Sequence, residues 1–242
     1  MINQVRFSNS VKFFEKNFCN RWDIIPYNDI NSSCFFAGVY CPEDVEIINK
    51  HKGFKVVWNT GGKRDIFESL DNNIVVMIGN GIEADISDKY KSKNVNIEIK
   101  DFSIFKPVPF GNFVYAYLGK PEHKELYGYN IVNEVSRKIP FKILIGYLGH
   151  EMDFVKREYY DNSFINIKIN LVGGMTTSTE LAYMGRKTIS NTNSILCTPY
   201  KDVDDIVNLI MEESLNINKI PESRIPEVYF TRKEWLNESF WL

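Results

Sequence analysis

Residues 164–191 read FINIKINLVGGMTTSTELAYMGRKTISN, and this stretch decides the fold. An apolar run rich in β-branched residues, Phe164–Val172, is followed by a glycine pair, a cluster of hydroxyls and a short helical segment at Thr179–Met184. Gly185 and Arg186 then precede a second predicted strand, KTISN (Lys187–Asn191). A buried strand, a loop, a helix and another buried strand in this order predict two parallel strands joined by a crossover helix.

The same alternation of apolar strands and helices extends through the rest of the chain. The other predicted strands are Cys34–Tyr40, Phe54–Thr60, Asn73–Gly79, an edge strand at Val95–Phe105, Asn112–Gly119 and Phe141–Gly149. The segment KPVPFG, Lys106–Gly111, interrupts the alternation and is the best candidate for a linker. We therefore expect an α/β fold of two Rossmann-like domains that face a cleft. The first domain, residues 1–108, is reduced, and the second contains residues 109–242. The last helix of the second domain is expected to cross back to the first. A single continuous doubly wound sheet is the alternative.

The composition indicates a soluble globular protein. Hydrophobic residues make up 44% and charged residues 25% of the 242 residues. The net charge of −2 excludes a general attraction to nucleic acid or to an anionic membrane surface. No apolar run approaches the roughly 18 residues of a membrane span, and the N-terminus lacks the apolar run of a signal peptide. We expect a cytoplasmic location, in the host cytoplasm if the Asn-, Ile- and Lys-rich composition reflects a viral genome.

The four cysteines are expected to be reduced thiols. They form no CxxC pair, and none stands at zinc-ligand spacing from the three histidines. A disulfide framework and a metal site are therefore both disfavoured, and we expect neither a metal nor a bound cofactor. Assembly into a homo-oligomer stays open.

Four glycine-containing loops follow predicted strands, and each is a candidate binding loop. They are Gly61–Arg64, Gly119–Lys124, Gly146–His150 and Gly173–Ser178. In open parallel sheets, ligands lie beyond the carboxyl ends of the strands, where such loops meet. The sequence therefore predicts a binding site at this edge of each domain.

The loop Gly173–Ser178 carries the features of an anion site. Its glycines allow close backbone approach to a ligand, and its hydroxyls and the following helix N–H groups can bind phosphate oxygens. We expect Thr177 or Ser178 to cap the helix and Glu180 to fall in its first turn. The structural alternative is an ordinary capping arrangement, in which an exposed acid favours the helix dipole.

The loop GKPEHKE places Lys120 and Lys124 around another predicted helix start. Cations at a helix start oppose the helix dipole, so an anionic ligand between the two lysines would explain their position. The alternative is a pair of solvated lysines.

The loop GYLGH offers a place for a flat ring. Gly146 lets such a ring lie against the backbone, with Tyr147 or His150 beside it. A position in the core is the alternative for Tyr147.

The loop NTGGKRD offers Lys63 and Arg64 for contacts with phosphate or with an acceptor, and Asp65 as a catalytic base. His123, beside the basic loop, is the second catalytic candidate. An ordinary turn and an ordinary surface histidine are the alternatives.

The order of elements over Asn112–Asn191 resembles the donor-binding domain of GT-B glycosyltransferases. Many members of that class carry an acid followed, five residues on, by a glycine and then a strand, and ELAYMGRKTI is similar, with Glu180 and Gly185. The resemblance implies that Glu180 holds the ribose hydroxyls of a nucleotide sugar. The acid that many retaining members carry eight residues earlier is Val172 here.

The resemblance also implies a site for the donor diphosphate. The family's basic pair after the first strand of this domain contacts the diphosphate, and YLGKPEHK looks similar, with Lys120 and Lys124. The family's loop before the acid touches the same group. The resemblance therefore assigns diphosphate binding to Gly174, Met175, Thr176, Thr177 and Ser178.

The resemblance implies a metal-independent glycosyltransferase that moves a sugar from a UDP- or GDP-linked donor to a glycan or another hydroxyl acceptor. The donor is a co-substrate rather than a cofactor, and Lys63 and Arg64 would face the acceptor. Two other classes stay open: a nucleotide-sugar epimerase on the same scaffold, and a non-catalytic binding or assembly subunit. In the last case an exposed aromatic end, with Trp235 and Trp241, would suit a partner surface.

Overall fold

The chain folds into two compact units, each built around its own sheet. The computed structural model describes residues 1–59, 64–79, 89–119, 121–147, 153–169, 175–192, 194–227 and 229–242. One unit contains Met1–Asp101 and Glu227–Leu242, and the other contains Phe102–Pro226. The expected α/β class with two Rossmann-like sheets is confirmed, and the single continuous sheet is excluded. The division falls between Asp101 and Phe102 rather than between residues 108 and 109.

The described residues of the first unit form a six-stranded sheet. Its strands are β1 (Gln4–Phe7), β2 (Ile25–Pro26), β3 (Cys34–Ala37), β4 (Lys55–Asn59), β5 (Val75–Ile78) and β6 (Lys91–Asn94). Its helices are a 3-10 helix at Asn9–Phe14, α1 (Glu15–Trp22), α2 (Pro42–Lys50) and α3 (Arg64–Glu68), then near the end of the chain a 3-10 helix at Lys233–Leu236 and α8 (Glu238–Trp241).

The described residues of the second unit form a five-stranded sheet. Its strands are β7 (Phe113–Tyr117), β8 (Ile143–Gly146), β9 (Ser163–Lys168), β10 (Lys187–Ser190) and β11 (Cys197–Thr198). Its helices are a 3-10 helix at Pro121–Tyr127, α4 (Tyr129–Ser136), α5 (Asp153–Asp161), α6 (Thr176–Tyr183) and α7 (Val203–Ser214). Across the described part of the chain, no helix has both the length and the apolar character needed to cross a bilayer.

Both sheets have a doubly wound strand order. The strand pairs among the described residues are parallel, with spatial orders β2-β1-β3-β4-β5-β6 and β11-β10-β9-β7-β8. Counted within each unit, the first five strands take the order 2-1-3-4-5 in both sheets. The order reverses between β1 and β3 in the first unit and between β7 and β9 in the second. These two places are the topological switch points, where ligands bind in open α/β sheets.

Among the described residues the sheet of the first unit has six strands and that of the second has five, so the first unit is not reduced in strands as the sequence predicted. β2 has two residues and β6 reads KSKN, so neither shows the apolar pattern of a buried strand. The edge strand predicted at Val95–Phe105 is wrong, because Lys91–Asn94 pairs with β5 and takes that place. Ile97 and Ile99 are instead buried in an irregular segment.

The end of the chain completes the core of the first unit. Trp235 is fully buried and packs edge-on against Trp22 and Phe35, with ring centroids 5.3 and 5.2 Å apart. Trp241 is also buried, and its Nε1 donates to the carbonyl of Trp235. The alternative in which these two tryptophans form an exposed partner surface is therefore wrong.

Helix α6 ends in a left-handed glycine. Gly185 has a φ of +80°, and the N–H groups of Gly185 and Arg186 donate to the carbonyls of Ala182 and Leu181 over 3.0 and 2.8 Å. This pair of bonds is the Schellman arrangement that closes a helix C-terminus. The glycine of the acid–glycine pattern therefore terminates the helix.

Gly185→Ala should destabilise the second unit. The left-handed backbone costs a residue with a Cβ about 1–2 kcal/mol, and this Cβ would also meet Pro221 and the carbonyl of Glu222. Urea unfolding monitored by circular dichroism measures the loss. Gly79→Ala is the control, because a Cβ there lies 3.3 Å from Trp58 Nε1 on an ordinary backbone, and its loss should be smaller. Equal losses would contradict the explanation.

A histidine is buried in the first unit beside a lysine. His51 follows α2 and is 2% exposed, and its Nδ1 lies 3.3 Å from the hydroxyl of Tyr27. Lys55 is also buried and donates to the carbonyls of Ile48 and His51. Burial, and next the charge of Lys55, lower the pKa of His51 below its ordinary value of 6.5. The folded protein therefore keeps this imidazole neutral at pH values where the unfolded chain is protonated.

This burial predicts that stability falls as the pH drops below 6.5, the ordinary pKa of the imidazole. The unfolded chain takes up a proton at His51 near that pH, whereas the folded chain does so only at a lower pH, so acid favours unfolding. Urea unfolding at about pH 7.5, 6.5 and 5.5 measures the pH dependence of the free energy of unfolding.

His51→Gln should weaken this pH dependence, because the variant lacks the titrating group. His123→Gln is the matched control, since His123 is exposed in the second unit, and it should behave as wild type. Identical pH dependence in wild type and His51→Gln would refute the assignment.

Candidate functional site at the edge of the second sheet

Three of the predicted binding loops follow strands that end at one edge of the second sheet. β8, β7 and β9 are adjacent and parallel, so the chain leaves all three at the same edge. Lys124, Tyr147 and Met175–Ser178 follow these strands, whereas Arg64 and Asp65 belong to the first unit. The predicted site residues that lie outside the described residues are Lys63, Lys120, His150 and Gly174.

The connections after β7 and β9 diverge at the switch point of this sheet. β7 leads to α4, which packs on one face, and β9 leads to α6, which packs on the other. A crevice opens in doubly wound sheets where neighbouring strands send their helices to opposite faces. The described parts of the two segments to which the sequence assigned phosphate binding follow these two strands.

The two faces of the second sheet differ in chemistry. One face is apolar and packs against α4 and α7, with Ile165, Ile167 and Ile189 at its centre. The residues that alternate with these point to α5 and α6, and they carry hydroxyl, amide or ammonium groups. We call this side the polar face; its members are Tyr115, Tyr117, Asn166, Lys168, Thr188 and Ser190. Apart from half-buried Tyr117 they are buried, and such groups are costly unless they are bonded.

Glu180 packs onto the polar face from α6. The side chain is fully buried, and its Oε2 accepts a hydrogen bond of 2.5 Å from the hydroxyl of Tyr160 on α5. The Tyr160 ring packs edge-on against Tyr115, with centroids 5.2 Å apart. Burial, and next the charge of Glu180, raise the pKa of both tyrosines, so both stay neutral hydrogen-bond donors. A ribose could reach the carboxylate only if the residues that cover it move.

Helix α6 starts at Thr176, earlier than the sequence predicted, and no side chain caps it. Met175 occupies the N-cap position, so the expectation that Thr177 or Ser178 caps the helix is wrong. Both lie in the first turn and are buried, and no acid occupies that turn, so Glu180 lies deeper than expected. The N–H groups of an uncapped first turn attract anions, and here they stand at the switch-point edge.

The structure adds a cation that reasoning from the sequence missed. Lys168 is the last residue of β9, lies on the polar face and is 3% exposed. Its Nζ lies 5.8 Å from the centre of the Tyr117 ring on β7. The available signal was a lysine within the apolar strand SFINIK. Only the pairing of β9 with β7 reveals that this lysine stands at the switch point.

Lys124 and His123 lie within a 3-10 helix rather than at a helix start. Lys124 is in the last turn of Pro121–Tyr127, so its charge does not oppose the helix dipole as expected. Its Nζ lies 4.0 Å from the centre of the Tyr129 ring, which is a cation–π contact. His123 is exposed. Lys124 is therefore a half-buried cation held against an aromatic ring at this edge.

A tyrosine of the protein itself lies against Gly146. The hydroxyl of Tyr115 occupies the place of a Cβ at residue 146, so only glycine fits there. Tyr147 is half-buried and packs against the apolar core of the second unit. Packing against Tyr115 therefore explains the glycine at position 146 without a ligand ring.

Arg64 and Asp65 are exposed at the start of α3. Nε of Arg64 lies 3.9 Å from Glu68, and the carbonyl of Asp65 accepts a hydrogen bond from the hydroxyl of Ser69. These contacts are those of a short surface helix.

The switch point of the first unit is filled by protein groups. Asp44 on α2 is 1% exposed and accepts hydrogen bonds from Arg6 over 2.8 Å, from the Ser8 hydroxyl over 2.7 Å and from the N–H of Tyr40 over 3.0 Å. Burial raises the pKa of Asp44, but these hydrogen bonds outweigh it and lower the pKa overall. A carboxylate of the protein thus occupies the place that an anion would take, whereas the first turn of α6 in the second unit contains no acid.

Two comparisons with known proteins, one with family models and one with curated sequences, found no match for this chain. No protein-family model matches it, and no curated protein sequence does either. Among the described residues, no cluster of three or more histidine, cysteine, aspartate or glutamate side chains could hold a metal ion. The geometry of the second unit is therefore the observation that bears on function.

The bond between Tyr160 and Glu180 predicts a loss of stability when the hydroxyl is removed. Tyr160→Phe takes a donor from a fully buried carboxylate, so the free energy of unfolding should fall by about 1.5–3 kcal/mol. Because both variants act on one bond, Tyr160→Phe and Glu180→Gln together should lose less than the sum of their separate losses. Urea titrations measure all three. Tyr200→Phe, at a half-buried tyrosine of the same unit, is the control; strict additivity would contradict the coupling.

Proposed function

We propose that the second unit binds a nucleotide diphosphate sugar and that the protein is a glycosyltransferase of the GT-B type. The observation that carries this proposal is the switch point between β7 and β9, where the uncapped start of α6 faces the same sheet edge as Lys124. A helix N-terminus and nearby cations together attract a diphosphate. The first unit's switch point offers no equivalent, because Asp44 fills it.

In this proposal the diphosphate lies across the start of α6. The backbone N–H groups of the first turn and the hydroxyls of Thr176–Ser178 meet the phosphate oxygens, and Lys124 and Lys120 add positive charge. When the bond to the sugar breaks, negative charge grows on the leaving diphosphate. Preorganised N–H groups and cations stabilise that charge and so lower the barrier. The cations then supply what a metal supplies in other transferases, and the reaction proceeds without one.

Glu180 is the proposed ribose ligand. Its carboxylate can accept hydrogen bonds from ribose hydroxyls with one oxygen while Tyr160 holds the other in place. Because the side chain is fully buried without a ligand, donor binding on this proposal includes a movement of the covering residues. The proposal for catalysis keeps His123 and Asp65 as candidate bases, with Lys63 and Arg64 on the acceptor side.

Calorimetry with UDP- and GDP-linked sugars tests donor binding. We expect wild type to bind at least one of them, and Glu180→Gln to weaken that binding at least tenfold, because the amide replaces one acceptor oxygen with a donor. Glu213→Gln is the matched control. Glu213 is a buried acid of the same unit, but it pairs with Lys187 at the other end of the sheet and with Arg224.

Three outcomes would count against the proposal. The absence of binding by any nucleotide sugar at millimolar concentration removes it. Equal affinity in wild type and Glu180→Gln removes Glu180 from the site. Binding followed by conversion of the donor alone, or by no transfer to any glycan acceptor, favours an epimerase or a non-catalytic subunit over a transferase.

A further inference from the structure

Each described sheet has two edge strands, and three of these edges carry a feature that hinders pairing with a further strand. β2 and β11 have only two residues each, and β2 contains Pro26, which has no N–H to donate. β6 reads KSKN, and lysines on an edge strand oppose pairing with another chain. Short strands, proline and lysine are the usual means by which proteins keep their sheet edges from binding one another.

β8 is the edge strand that has none of these features. It consists of Ile143–Gly146, which includes neither a charged residue nor a proline. Ile143 and Ile145 pack on the apolar core of the second unit, whereas Leu144 pairs in register with Tyr115 and so lies on the polar face. These three aliphatic side chains are only half-buried. β8 is therefore an apolar edge of the kind to which another strand can add.

The outer backbone groups of β8 are open as well. The carbonyls of Lys142 and Gly146 accept hydrogen bonds from the chain of β7. Because backbone groups alternate in direction along a strand, the N–H and C=O of Ile143 and Ile145 face away from β7. Among the described residues, no hydrogen bond to these outward groups is seen. The edge thus offers donors and acceptors together with apolar side chains.

The sequence of β8 is complementary to a second copy of itself. In an antiparallel pair centred on Leu144, Ile143 of each copy faces Ile145 of the other, and the facing residues exchange both of their N–H···O bonds. The two Leu144 side chains then face each other, and such cross-strand apolar pairs stabilise a sheet. Each copy contributes the same residues, as an interface with a two-fold axis requires.

The charge beside β8 fits the same register. Lys142 is exposed, and its Nζ lies 5.7 Å from the centre of the Phe113 ring on β7. In the pair centred on Leu144, Lys142 faces Gly146 of the second copy, so the two lysines do not oppose each other. Like charges directly opposite would destabilise the ladder. A peptide of unrelated sequence could use the open backbone groups, but it would lack this matched set of side chains.

We propose that β8 is a dimer interface, in which two copies of the chain pair antiparallel through Ile143–Gly146 and join their second sheets into one. The outward groups of Ile143 and Ile145 then obtain hydrogen-bond partners, and the half-buried aliphatic side chains lose contact with water. The interface uses only the edge of the second sheet, so it is independent of the function proposed above.

Sedimentation equilibrium over a series of protein concentrations tests the pairing. Wild type should form a dimer as its concentration rises. Leu144→Lys and Leu144→Glu should each weaken self-association by roughly tenfold or more, because like charges then face each other across the two-fold axis. An equimolar mixture of the two variants should form the dimer again, since a lysine then faces a glutamate.

Two further variants separate the interface from general effects. Leu215→Lys is the matched control, because Leu215 is a 79% exposed leucine of the same unit, and this variant should dimerise as wild type does. Ile143→Pro removes an outward N–H and leaves the bonds to β7 in place, and proline is tolerated at the first residue of an edge strand. It should weaken the dimer even if the charged variants do not fold. Circular dichroism checks the fold of each variant.

Each outcome bears on the interface. A wild type that stays monomeric at every concentration overturns the proposal and leaves this edge to a strand of another protein. Dimerisation that survives both Leu144→Lys and Ile143→Pro places the contact elsewhere and overturns it too. Folded charged variants that fail to dimerise when mixed contradict the register centred on Leu144, whereas recovery in the mixture alone supports it.

Discussion

The buried polar face of the second sheet is the constraint on which the candidate site depends. Its groups must be bonded when α5 and α6 cover them, because an unbonded buried polar group is costly. Tyr160 on α5 meets Glu180 on α6, and Asn166 on β9 donates to Thr188 on β10. The first bond ties α5 to α6 above the sheet, and the second joins two neighbouring strands. The apolar face on the other side supplies the packing energy, and the bond between Tyr160 and Glu180 helps to hold α6 on the polar face.

The two units share a strand order, but different side chains stand at their switch points. In the first unit, Asp44 collects the hydrogen bonds of Arg6 and Ser8 and fills the start of α2 with protein charge. In the second unit, α6 starts without a cap, and Lys168 is the nearby charge on β9. A filled switch point stabilises the fold, whereas one that combines helix N–H groups with a cation suits an anionic ligand. This difference, rather than the topology, singles out the second unit.

The acid and the glycine of the pattern that resembles GT-B glycosyltransferases are explained by different contacts in the structure. Gly185 is required by the left-handed end of α6, so the glycine marks a helix–strand junction of any function. Glu180 is buried against Tyr160, and the covering residues must move before it can meet a ribose.

The sequence by itself determined the α/β class, the two sheets and the longer strands, because strands buried on both faces need continuous apolar runs. It also located the loops before α6 and after β7. The sequence did not predict short or polar strands such as β6. Backbone pairing holds these strands in the sheet, and their side chains show no apolar pattern. The packing of Trp235 against Trp22 and Phe35, and the position of Lys168 beside Tyr117, were decided only by the tertiary structure. Strand register and helix position bring such distant residues together, and neither is encoded in any local stretch of the chain.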